Sequence, residues 1–133
     1  MLLVGGSLLA LEHNVTIEEI VTGYYEYWQH RSDDCFWAVE AVSELCCDLA
    51  KGTDVALRLI ATAEDNAYLA YVAAGPVEDL IKEYGGAALT LFEEAAETSP
   101  RVIEALAGVW LGPSDNGYGE WHRIMQMHSR PKQ

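Results

Sequence analysis

Two acidic constellations mark where this chain could do chemistry. Glu40, Glu44 and Asp48 recur at i, i+4 and i+8, which on a helix sets three carboxylates along one stripe. Trp37 stands one turn before Glu40 on that stripe, and Asp33 and Asp34 lead into it. Like charges so spaced weaken a helix slightly, and Lys51 is the only nearby cation. A charge run is usually a solvated face. The sharper reading is a docking surface, because carboxylates around an aromatic anchor suit a basic protein surface. The second constellation is Gly75-Pro76-Val77-Glu78-Asp79. Proline favours the first helical position, so Glu78 and Asp79 fall in a first turn, where the helix dipole stabilises carboxylates. One turn supplies too few convergent oxygens for a metal. Dipole partners at a buried helix junction are the simpler assignment.

Other apparatus is missing from the sequence. The histidines His13, His30, His122 and His128 do not repeat a ligand spacing, and only His30 has a carboxylate, Glu26, one turn away. They read as structural or solvated. No Gly-x-Ser-x-Gly, P-loop or dinucleotide-binding glycine pattern occurs. Cys35, Cys46 and Cys47 are odd in number, without CxxC spacing or a basic neighbour, so they read as reduced, unreactive thiols in a cytoplasmic protein. No cofactor, metal or catalytic residue is expected. Tyr24, Tyr27 and Trp28 share a helix face that suits a core, while Tyr25 points elsewhere and could be exposed.

These residues sit on a chain of 133, with 21 acidic against 8 basic side chains and a net charge of −13. Half of it is apolar, which is enough to fold one domain rather than to form a disordered acidic tail. The charge argues against a nucleic-acid or anionic-membrane surface. All the acids lie before Arg123, and the last eleven residues are purely basic. Met1 to Leu11 is apolar but lacks the basic start and cleavage site of a signal peptide. Residues 1–15 read as an arm or helix docked on the core, or as a start placed too far upstream. Residues 16–128 read as one helical domain and 129–133 as a basic tail.

Helix signals punctuate that domain. Thr16 and Glu19 form a capping box for a helix to His30. Ser32-Asp33-Asp34 caps a second helix expected to reach Ala50, with Lys51-Gly52 ending it and Thr53 capping a third to about Glu64. Asp65 or Asn66 starts a fourth, Gly75-Pro76 breaks it and opens a fifth, and Gly85-Gly86 stops that. Helices over 87–97, from Ser99-Pro100 to Leu111, and over 120–128 follow, with a turn-rich loop at 112–117. No segment alternates with period two. The fold class is all-α: a compact antiparallel helical bundle or a short two-layer array of helical hairpins, with about six to eight helices.

Three motifs carry a resemblance: Phe36-Trp37-Ala38-Val39-Glu40, Ala73-Ala74-Gly75-Pro76-Val77-Glu78-Asp79-Leu80-Ile81, and Ala105-Leu106-Ala107-Gly108-Val109-Trp110-Leu111. Over roughly residues 20 to 128 the chain resembles a bacterial all-helical domain family of unknown function. The resemblance implies a small helical bacterial protein and carries no activity with it. Size, charge sign and missing catalytic groups lead to the functional expectation. It is a cytoplasmic, non-enzymatic immunity or antitoxin-type inhibitor covering a basic toxin or nuclease surface through Asp33, Asp34, Trp37, Glu40, Glu44 and Asp48, with Glu78 and Asp79 next. A nucleic-acid mimic, or a structural or adaptor domain forming a homodimer, is the alternative.

Overall fold

A computed structural model of the chain describes residues 15–129. The expected N-terminal arm and the last basic residues lie outside them. Every described element is helical: α1 (Ile17–His30), a 3-10 turn (Asp33–Cys35), α2 (Phe36–Leu45), α3 (Leu49–Thr62), α4 (Asn66–Val72), a π turn (Ala73–Val77), α5 (Glu78–Tyr84), α6 (Gly86–Ala96), α7 (Pro100–Ala107) and α8 (Tyr118–Ser129). No helix among the described residues is long and apolar enough to cross a membrane.

α1 begins where its capping box places it. The Glu19 N–H donates to Thr16 Oγ1 at 3.1 Å, and the Thr16 N–H donates to Glu19 Oε1 at 2.8 Å. α2 returns antiparallel to it, pairing Cys35 with Glu26 and Ala38 with Gly23. A Cβ on Gly23 would lie 2.8 Å from that of Ala38, so glycine is what permits this approach. α3 is the hub. It packs against α1, α2, α4, the π turn, α5, α6 and α7, and Val55, Ala56, Leu59 and Ile60 disappear from solvent. Burying one such aliphatic side chain contributes about 1.5–3 kcal/mol. Phe92 of α6, Leu106 of α7 and Ile124 of α8 are also fully buried.

Several expected boundaries differ: the helix from Pro100 ends at Ala107 rather than Leu111, with Gly108 as its C-cap. The second helix does not reach Ala50. It ends at Leu45, and a turn through Cys46 and Cys47 lets Asp48 cap α3, its Oδ1 accepting the Lys51 N–H at 2.9 Å. Lys51, Gly52 and Thr53, expected to end one helix and cap the next, therefore lie inside α3. Gly75-Pro76 does not break the chain direction either. Proline lacks an N–H and its ring crowds the carbonyl one turn back. The backbone widens into the π turn there, and α4 continues into α5. At Gly85, φ of +60° does stop α5.

Candidate functional site

α1 faces two ways. Ile20, Val21 and Tyr24 enter the core, while Glu18, Thr22 and Glu26, at i, i+4 and i+8, form an exposed ridge. On one flank of the ridge, α1, α3 and α4 enclose a groove of about 450 Å³. Val21, Tyr25 and Tyr68 line it, with exposed Arg58 and Glu64 beside them. On the other flank is a second, more open hollow of about 290 Å³, where Cys35 and Trp37 meet Glu19 and Gly23. An acidic ridge thus runs between two hollows, each containing an aromatic side chain.

Local contacts set the walls. The Tyr25 hydroxyl donates to the Leu59 carbonyl of α3, and its ring sits 5.4 Å from that of Tyr68. Burial pushes the Tyr25 phenol above the usual tyrosine range, so it remains a donor. Tyr25 is therefore half-buried, tied to α3 rather than free on the surface. Arg58 Nη1 lies 2.7 Å from Glu18 Oε2, and its Nε lies 3.3 Å from Asp54 Oδ1. Across the ridge, the Cys35 thiol donates to Glu26 Oε1 at 3.6 Å. Burial first, then that hydrogen bond, push the thiol up and keep it protonated. Trp28 stacks on Tyr71 at 4.4 Å, and the Arg31 guanidinium lies 4.8 Å from the Trp28 ring, closing the end of α1.

The expected site residues divide. Asp33 and Asp34 are exposed in the 3-10 turn that follows α1, and half-buried Trp37 lines the open hollow. Glu40 is exposed on α2. Glu44, on the same stripe, is half-buried, and its Oε1 is fully covered without a hydrogen-bond partner. Asp48 leaves the stripe, because the helix ends before it and its carboxylate serves as the α3 cap. Glu78 is engaged inside the molecule. Its Oε2 lies 3.1 Å from Lys82 Nζ, and its Oε1 accepts the Trp110 N–H at 3.0 Å, tying α5 to the segment after α7. Asp79 is pushed up by burial and then by the Glu78 charge. Both residues fall in the first turn of α5, as expected, but the π turn leads straight into that turn from α4, so no free helix N-terminus stands beside them. Among the described residues, no three His, Cys, Asp or Glu side chains converge as a metal site requires.

Sequence reasoning passed over Glu18, Glu26, Glu64 and Tyr68 as site residues. The i, i+4, i+8 spacing of Glu18, Thr22 and Glu26 was open to reading. The packing of α4 beside α1 was not, because no local pattern states it.

A family model described as a family of unknown function, DUF6869, matches residues 26–132. The chain belongs to DUF6869. No curated protein and no solved structure matches it. In this DUF6869 chain the matched residues take in Glu26, the 3-10 turn and Trp37, and the rest of the ridge lies just ahead of them.

Proposed function

We propose that this DUF6869 protein is a non-enzymatic acidic binding module. It covers a basic surface of a protein partner, in the manner of an immunity or antitoxin-type inhibitor of a bacterial toxin, in the cytoplasm. The α1 ridge carries the reading: Glu18, Thr22 and Glu26 stand between two hollows that expose Tyr25, Tyr68 and Trp37. Asp33 and Asp34 extend the same acidity beyond the end of α1. Carboxylates steer a cationic surface into register and raise its association rate, while aromatic anchors supply most of the affinity. Inhibition follows from occlusion of the partner's basic groove and needs no chemistry by this chain. Glu40 stands on the neighbouring helix, whereas Glu78 is held by Lys82 and Trp110 and acts in the fold.

Nucleic-acid mimicry is the weaker reading. It needs carboxylates tracking a phosphate path. Here they are spread over α1, α2, α3, α5, α6, α7 and α8, and Glu18, Asp54, Glu78 and Glu93 are paired with cations.

The test is co-expression with the product of the adjacent gene, then co-purification at low and high salt. A basic partner should be retained at low salt and weakened at about 0.5 M, where screening is nearly complete. Glu26→Lys with Asp33→Lys should slow association about tenfold and leave the melting temperature in place. A partner bound equally at both salts and equally by this variant removes the reading.

A further inference from the structure

The groove between α1, α3 and α4 has features that the docking surface as a whole lacks. It is concave, with Val21 and the rings of Tyr25 and Tyr68 as an apolar wall. The Tyr25 hydroxyl is already committed to Leu59, so the ring is what that side chain offers an incoming group. The Glu64 side chain makes no ion pair or hydrogen bond among the described residues, and the Glu26 carboxylate accepts only from the Cys35 thiol among them. The groove also contains its own precedent. The Arg58 guanidinium sits at it between Glu18, 2.7 Å away, and Asp54, 3.3 Å away.

From this geometry we infer that the α1–α3–α4 groove is the socket for one arginine side chain of the basic partner. The inference rests on the docking reading and deepens it. The aliphatic stem lies along Val21 and the tyrosine rings, and the planar head lies over an aromatic face toward Glu26 and Glu64. A lysine fits less well, because its point charge lacks the flat fork that stacks on a ring and bridges carboxylates. An anion is repelled by three carboxylates set against the single guanidinium of Arg58.

The socket is testable without the partner. The isotope-labelled full chain is titrated with n-butylguanidinium and followed by amide shifts, with n-butanol as the stem alone and n-butylammonium as the lysine equivalent. The expected result is saturable one-to-one binding of butylguanidinium, with shifts gathered at residues around Tyr25, Glu64 and Tyr68. Butylammonium should bind more weakly and butanol not at all. Glu64→Gln should weaken binding about tenfold through loss of a charge-assisted hydrogen bond. Tyr68→Leu, which keeps the apolar wall and removes the ring, should weaken it as well. Both variants are checked for an unchanged amide spectrum away from the groove. Shifts spread over carboxylates on all helices without saturation, equal binding of butanol, or no effect of Glu64→Gln overturn the socket. A protein that fails this titration yet retains its adjacent-gene partner loses the socket and keeps the docking reading. A positive titration without any basic partner shows that the groove takes a guanidinium but removes the docking reading, and with it the partner's arginine as the occupant.

Discussion

A single methyl group measures how closely α3 is packed. A Cβ on Gly52 would stand 2.7 Å from the Cys46 Cα and 2.7 Å from Leu80 Cδ2, with the Leu45 carbonyl oxygen at 3.1 Å. Two of these neighbours are backbone at the α2–α3 turn, so they cannot swing aside as a side chain would. Gly52→Ala gains up to about 1 kcal/mol of helix propensity. Overpacking of about 1–3 kcal/mol outweighs it. Gly119 lies in the first turn of α8 with nothing within 4 Å of the same added atom. There the propensity gain stands alone. Urea unfolding of the two variants should therefore give opposite signs: Gly52→Ala less stable by about 1–2 kcal/mol, and Gly119→Ala more stable by about 0.5–1 kcal/mol. Equal effects at both sites would mean that the close approach at the turn is not a constraint.

At the scale of elements, the decisive feature is which residue starts α3. Asp48 does, through its hydrogen bond to the Lys51 N–H. Thr53 is 5% exposed inside the helix, and its hydroxyl has no partner. Asp48→Ala should cost about 1 kcal/mol, as loss of an N-cap does. Thr53→Val, which removes an orphaned hydroxyl and keeps the branched shape, should raise the unfolding free energy by about 1 kcal/mol or leave it unchanged. If Thr53 were the cap, the two results would exchange. The same residues explain what the sequence conceals. Helix starts signalled by a local hydrogen bond, such as Thr16 with Glu19 or Asp65 with the Tyr68 N–H, are legible because both partners lie within one turn. The break at Cys46-Cys47 carries no glycine or proline. Lys51-Gly52 imitates a helix end because its glycine is required by packing against Leu80, which is remote in sequence. Half of the candidate site follows the same rule. Asp33, Asp34 and Trp37 announce themselves as acids beside an aromatic. Glu64 and Tyr68 join Glu26 and Tyr25 only when α4 has folded against α1, and that is a tertiary event.

Across the whole molecule, burial of ionisable groups gives stability a direction in pH. Cys46 joins the core beneath the α2–α3 turn, and burial, then the charges of Asp79 and Cys47, push its thiol from an ordinary 9.0 up to about 12. Between those values the unfolded chain loses this proton while the native chain keeps it. The native state then binds more protons, so stability falls as pH rises through the window. Tyr24 and Tyr25 act with the same sign once pH passes their ordinary 10.0, since burial raises both phenols. The chain already carries a net charge of −13, so each added negative charge also meets a repulsive field. Unfolding free energy measured in urea should fall steadily from pH 9 upward. In Cys46→Ala the fall between pH 9 and 10 should be shallower, the remainder coming from Cys35, whose thiol is also pushed up, before the tyrosines take over near pH 10; the variant starts from a lower stability at neutral pH because the buried sulfur is gone. Parallel curves for the parent and variant between pH 9 and 10 would assign the loss to general repulsion, and added salt would then flatten both curves alike. A slope between pH 9 and 10 that is shallower only in the variant assigns that share of the loss to the buried Cys46 thiol.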